Sequence, residues 1–289
     1  MRVAVSGATG FVGRHIVTSL LSRGHQVVAL SSSSAPYQTH YEQVRVDVVT
    51  GDGLAQAVRA CDAIIHLVGI IREQRYSFAE VHVQGTVNML QAAQEQGVKR
   101  FIHMSALGAD MQAESRYYQS KARAESLVKA SPLLWTIFRP SLIFGEGDEF
   151  FGKTLYDLVN KGPVIPQIGD GSFLFRPVWV GDVARAFTQA LDYSPSKRQT
   201  YPLVGPDILS FKEMLLLLRQ ARGYEKKPLV SIPLRLMKLT LPLMQILPHP
   251  PISTDQFRML LAGNSSEDMS AAQVFDLEQL SLKKFLQGP

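Results

Sequence analysis

The chain has 289 residues, 46% of them hydrophobic and 19% charged, which is enough apolar material for a sizeable core and excludes a disordered chain. The net charge is +5, and no stretch interleaves clustered Lys and Arg with aromatics, which excludes a nucleic-acid module and leaves an ordinary basic surface able to attract phosphate-rich ligands. A single cysteine, Cys61, excludes a disulfide framework and a Cys-rich metal site. No basic segment followed by an apolar one opens the sequence, and no apolar run reaches the roughly 18 residues a membrane span needs, so a cytoplasmic protein is expected.

Residues 2–6 are apolar and β-branched, a strand that runs into Gly7. Residues 11–23 carry apolar side chains at helical spacing, and Gly24 stops them. Strands are then expected at 26–30, 44–46 and 63–68, and a short helix at 51–59. A long helix over 78–96 ends at Gly97; strand 100–104, helix 115–129 and strand 133–138 follow. Strands alternating with helices predict an α/β fold of Rossmann type, a doubly wound parallel sheet covered on both faces. After Pro140 the texture changes: Gly and Pro punctuate 145–171, residues 173–180 can return one more strand to the sheet, and helix 181–193 and strand 200–204 follow. Residues 206–289 read as a mostly helical lobe, with one clear helix at 211–222. The domain expectation is therefore 1–205 for the sheet domain, with 146–177 contributing to a substrate lobe, and 206–289 for the C-terminal lobe.

Gly7-Ala8-Thr9-Gly10-Phe11-Val12-Gly13 stands between the first strand and the first helix. Gly7 suits the tight turn, Gly10 a close backbone approach to a pyrophosphate, and Gly13 close packing of helix on sheet. The helix N-terminus offers N–H groups and a positive dipole end to phosphates, so a dinucleotide is expected. A nicotinamide dinucleotide with a bare ribose usually meets an acid at the end of the second strand. Here that place is Leu30-Ser31-Ser32-Ser33, with no carboxylate, and Arg14 follows Gly13 as a guanidinium partner for a 2′-phosphate or as a solvated first-turn arginine. NADP(H) is the preferred cofactor, with NAD(H) as the alternative.

Tyr117 and Lys121 lie four apart, on one face of the expected helix 115–129, while Tyr118 projects about 100° away. A phenol with pKa near 10 needs a neighbouring ammonium to work near neutrality. Ser105 closes the fifth strand, at the C-terminal sheet edge where open α/β folds keep their sites. Alternatively, Lys121 holds the nicotinamide ribose and no chemistry occurs.

The Gly-x-x-Gly-x-x-Gly spacing and the strand order resemble the extended and atypical short-chain dehydrogenase/reductases over roughly residues 1–205. Further phrases narrow that resemblance: 66–71, 105–109, Ser115-Arg116-Tyr117, 139–145 and 175–184. They are similar to the NADPH-binding accessory subunits (alpha subcomplex subunit nine) of respiratory complex I and their free-standing bacterial relatives. The resemblance implies that Ser105, Tyr117 and Lys121 form a catalytic triad. It also implies that Asp47, with Val48 beside it, contacts the adenine amine. Val68, Gly69 and Ile70 would pass the adenine ribose, and Pro140, Ser141 and Ile143 the nicotinamide. Phe175, Arg176 and Asp182 would shape the substrate lobe, Arg176 facing an anionic substrate or making a structural ion pair. One departure stands out: many extended members carry Asn on the long helix where this chain has His82.

Two functions follow as expectations. One is an oxidoreductase or epimerase acting on a carbonyl or hydroxyl of an unidentified small molecule. The other is a non-catalytic NADPH-binding accessory or assembly protein of a respiratory membrane complex. The apolar stretch 229–247, with Arg235 and Lys238 and breaks at Pro233 and Pro242, is either a helix over the substrate cleft or a surface for a membrane or a membrane complex, which would put the protein at the periphery of the inner membrane.

Overall fold

The computed structural model describes residues 1–32, 40–245 and 252–288. Ser33 and Ser34 of the serine run, and residues 246–247 of the apolar stretch, lie outside the described residues. The chain forms two compact units: residues 1–140, 180–203 and 268–277 make the first, and 141–179, 204–267 and 278–289 the second.

In the first unit, strands β1 (Arg2–Ser6), β2 (Gln26–Ser31), β3 (Glu42–Arg45), β4 (Ala63–His66), β5 (Arg100–Met104) and β6 (Leu134–Pro140) alternate with helices α1 (Phe11–Ser22), α2 (Leu54–Ala57), α3 (Gly85–Glu95) and α4 (Arg116–Ala130). The expected α2 at 51–59 is shorter because Gly51 and Gly53 both adopt positive φ, which no helix accommodates. The long helix expected at 78–96 is interrupted: residues Ala79–Gln84 form a π-turn before α3 begins.

Past Pro140 the second unit begins with β7 (Ile143–Phe144), a π-turn at Phe150–Leu155, α5 (Tyr156–Asn160), β8 (Ile165–Ile168), β9 (Leu174–Phe175) and β10 (Val178–Trp179). The chain then returns to the first unit as α6 (Val180–Ala190) and β11 (Gln199–Leu203). β11 is the seventh strand, and the sheet runs β11-β6-β5-β4-β1-β2-β3, parallel throughout. The expectation that 173–180 supplies a sheet strand is overturned. Pro177 splits it into β9 and β10, which pair in small sheets of the second unit.

Ala4, Val28, Leu30, Ile64, Phe101 and Ile137 share one core with Met89, Leu90 and Ala93 of α3, while α1 and α6 pack on each other. Strand order reverses between β1 and β4, and the C-terminal ends of those two strands are the switch point where a doubly wound sheet holds its ligand.

The second unit continues with β12 (Leu209–Ser210), α7 (Phe211–Ala221), β13 (Leu229–Ile232), α8 (Leu234–Met244) and α9 (Thr254–Ala262). A capping box of Ser210 and Glu213 starts α7, which buries Phe211, Met214, Leu215 and Leu218. α10 (Ser270–Val274) lies in the first unit and α11 (Leu282–Gln287) in the second. The apolar stretch at 229–247 is therefore not one helix. Residues Leu229–Ile232 pair with β8, and Pro233, which cannot continue the strand's hydrogen bonding, precedes α8.

Candidate functional site

The glycine loop leaves β1 at the switch point. Gly7 turns at φ +73°, and its N–H donates to the Leu30 carbonyl. A Cβ on Gly13 would stand 2.1 Å from the Gly7 oxygen, so only glycine allows α1 to seat on the loop. Gly10 differs. A Cβ there would meet only the Gly7 oxygen, at 3.3 Å, a tight contact that a shift of a few tenths of an ångström would relieve. The bare position faces open space at the start of α1, where Gly10 is the N-cap and supplies no side-chain cap. A cradle that a methyl group would begin to fill fits a pyrophosphate. Thr9 Oγ1 lies 3.2 Å from Ser31 Oγ, tying the loop to the end of β2. Phe11 and Arg14 stack, guanidinium over ring at 5.8 Å, and Val12 is buried.

No carboxylate stands at Ser31 or Ser32. Arg45, which sequence reading passed over, pairs in register with Ser31 and is exposed. Strand pairing alone brings that guanidinium to the same sheet corner, so only the β2–β3 register could have revealed it. Asp47 has both carboxylate oxygens engaged, one by the Val49 N–H at 2.9 Å and one by the Tyr76 hydroxyl at 2.9 Å. Val48 packs against Gly85, and the Asn88 amide donates to the carbonyls of Val48 and Val49. Tyr76 and Asn88 thus fix the loop that carries Asp47, and neither stood out in the sequence.

Val68, Gly69 and Ile70 follow β4, and Val68 touches the space above Gly7. A Cβ on Gly69 would stand 3.0 Å from Lys121 Nζ and 3.3 Å from His82 Nε2, so a bare backbone is what admits those two groups. His82 Nε2 accepts the Ile70 N–H at 3.0 Å, so its proton sits on Nδ1, which donates to Ser120 Oγ at 2.8 Å. Ser120 in turn donates to the Tyr117 carbonyl. The departure at His82 is therefore a strut between the β4 loop and α4.

Behind it, His66 bonds Ser6 Oγ at 2.7 Å and Thr86 Oγ1 at 3.3 Å, and stacks on His103 at 5.5 Å. Burial first, then the Lys121 charge, pushes His66 down to about 3 and His82 to about 2; the same causes, with the neighbouring imidazoles, push His103 well below its ordinary value. The imidazoles stay neutral, and Lys121 is the cation among them.

Lys121 is fully buried and donates to the Met104 carbonyl at 3.1 Å. Burial lowers its pKa to about 8, against the pull of Glu125 one turn further on. Lys121 Nζ stands 6.0 Å from the centre of the Tyr117 ring, which is half-buried and set edge-on to His82 and Phe78. Tyr118 is buried, and its ring would lie 2.5 Å from a Cβ on Gly108, so it is a core ring on the loop after β5.

Ser105 is buried, and its Oγ has no hydrogen-bond partner among the described residues. Burial opposes the Glu125 carboxylate, but its hydrogen bonds from Arg139, with the charges of Arg139 and Lys129, outweigh it and hold its pKa below the ordinary range. Arg139 grips Glu125 through Nε at 2.7 Å and Nη2 at 2.6 Å. Pro140 closes β6 with its carbonyl accepting from Leu107.

In the second unit, the Ser141 hydroxyl donates to the Asn264 carbonyl and Ile143 pairs with Val178. Arg176 is buried and donates to the carbonyls of Gly205, Pro206 and Ser266, with Glu267 3.9 Å away. It clasps backbone. Phe175 is buried in the second unit's core and Asp182 at the start of α6 in the first.

Residues 7–192 match the NAD(P)H-binding family. The mitochondrial NADH dehydrogenase (ubiquinone) 1 alpha subcomplex subunit 9 of Arabidopsis thaliana is 32% identical over 240 residues, 78% of this chain and 60% of that protein. A ceramide reductase of Caulobacter vibrioides is 34% identical over 177 residues, 59% of this chain and 55% of that protein. The chain thus spans about 60% of the length of such relatives. Among solved structures, a dTDP-glucose 4,6-dehydratase of Streptomyces venezuelae with NAD bound superposes with a TM-score of 0.78 at 21% identity, covering 99% of this chain and 95% of that one.

Proposed function

The chain belongs to the NAD(P)H-binding family, within the extended short-chain dehydrogenase/reductase superfamily, and we propose that it is an NADP(H)-dependent oxidoreductase or epimerase acting on a carbonyl or hydroxyl of a small molecule. The observation that carries this is Lys121: a buried ammonium, brought down to about 8, one helical turn from a half-buried tyrosine.

When bound, the nicotinamide supplies or accepts a hydride. The glycine loop and the α1 N-terminus would hold its pyrophosphate. Tyr117 gives a proton to a substrate oxygen or takes one from it. Lys121 stabilises the phenolate that remains and, through its further donors, the nicotinamide ribose. His82 and Ser120 keep α4 in register with the β4 loop. Ser105, whose buried hydroxyl has no hydrogen-bond partner among the described residues, is the triad's donor to the substrate oxygen. The acid-free end of β2, with Arg45 in register with Ser31 and Arg14 in the first turn of α1, supports NADP(H) over NAD(H).

Tyr117→Phe should remove turnover at least 100-fold and leave NADPH affinity within about two-fold, a loss typical of a deleted acid-base group. Wild-type affinity for NADPH should exceed that for NADH in the same titration. Full activity in the phenylalanine variant would end this assignment. Tight NADPH binding with no turnover in either protein would instead favour the accessory reading, to which the similarity to complex I subunits lends support. A cytoplasmic location is part of the proposal, and a peripheral place beside a membrane complex part of the accessory reading.

A further inference from the structure

Helix α8 has two apolar faces. Met237 and Leu241, 7% and 4% exposed, pack with Phe257 in a small core of the second unit. On the opposite side Leu236, Leu239 and Leu243 recur at i, i+3 and i+7 and are 50%, 73% and 67% exposed. An α-helix turns 100° per residue, so these three form one stripe, almost diametrically across from the buried pair. Single exposed leucines are ordinary, but an aligned stripe of three is a contact surface.

The charge around the stripe says what covers it. From Lys226 to Thr254 the sequence holds no Asp or Glu but includes Lys226, Lys227, Arg235 and Lys238. Arg235 and Lys238 are exposed on α8 itself, to one flank of the stripe. Lys227 is tied to the carbonyls of Val159 and Asn160, which leaves Lys226, Arg235 and Lys238 as the exposed cations. Leucines flanked by bases, with the nearest acids along the chain at Glu225 and Asp255, match an anionic lipid surface: the apolar stems sink to the acyl boundary and the cationic heads reach the phosphates. No helix among the described residues is long and apolar enough to cross a membrane, so the contact lies along the surface.

We propose that α8 docks this protein onto anionic bilayers through Leu236, Leu239 and Leu243, with Arg235 and Lys238 on the headgroups. The test is flotation of the full chain with phosphatidylcholine vesicles, with and without phosphatidylglycerol, alongside thermal melting and gel filtration. The wild type floats with the phosphatidylglycerol vesicles, and added salt weakens it. Leu239→Ser with Leu243→Ser cuts vesicle affinity at least ten-fold while melting is unchanged, because both side chains are already exposed. Arg235→Gln with Lys238→Gln removes the preference for anionic vesicles. The proposal is overturned if the wild type does not float, or if the serine pair floats as the wild type does. It is equally overturned if the serine pair merely dissociates a self-associated form that never bound vesicles.

Discussion

Gly10 and Gly13 look alike in the sequence and differ in the structure. Gly13 is fixed by the fold, because its Cβ would overlap the Gly7 oxygen; Gly10 is fixed by whatever lies outside it. Gly13→Ala should therefore lower the melting temperature of the cofactor-free protein, whereas Gly10→Ala should lower it far less and weaken NADPH binding at least ten-fold. A cofactor affinity unaltered by Gly10→Ala, read by titration, would remove the pyrophosphate from this loop. The same scale shows what was legible. The four-residue spacing of Tyr117 and Lys121 and the loop's glycines are local patterns, and the structure sets them together as local geometry requires. The partner of Glu125 is not local: Arg139, on β6, holds its carboxylate. Arg176 was expected to face an anionic substrate or a structural ion pair, and its backbone partners were not legible because carbonyls leave no sequence signature.

Among the elements, the π-turn at Ala79–Gln84 matters most to the site. It carries His82, which bridges the β4 loop and α4. His82→Ala leaves the part-buried Ile70 N–H without its acceptor, while the Ser120 hydroxyl keeps its bond to the Tyr117 carbonyl, a cost of about 1–3 kcal/mol. Denaturant unfolding should register that loss, and His82→Asn should restore part of it; a neutral His82→Ala would show that the strut bears no strain of folding. The π-turn itself was invisible beforehand, since one extra residue in a turn barely perturbs helical periodicity. Residues 173–180 misled for a related reason. Their apolar texture suits a buried strand, and only Pro177 and the partners β7 and β12 decide which sheet receives each half.

Across the whole molecule, the doubly wound order was readable because seven strands and their crossovers repeat one pattern that the chirality rule leaves little freedom to arrange. The second unit was not, because its short strands draw partners from distant segments. Stability against pH is also a whole-molecule property, and its sign follows from the buried bases. Folding lowers His66 to about 3 and His82 to about 2, so below pH 6.5 the unfolded chain takes up protons that the fold refuses, and stability falls toward pH 3. Lys121 acts in the same sense at higher pH: folding lowers it from 10.5 to about 8, so stability rises as pH climbs through that window. Urea midpoints across the pH range should show both slopes, and Lys121→Met should flatten the alkaline one. An alkaline rise that survives in Lys121→Met would place its origin elsewhere.

The two rims of the central sheet carry a consequence for how copies of this chain meet in concentrated solution. One rim is β3, with Glu42 and Arg45 exposed at its ends; the other is β11, where Pro202 offers no N–H to a newcomer. Charge on one border and a missing donor on the other deny a foreign strand a continuous template. The Rossmann sheet is thus guarded against growth by strand addition at its margins, by one pyrrolidine ring on one rim and two charged side chains on the other.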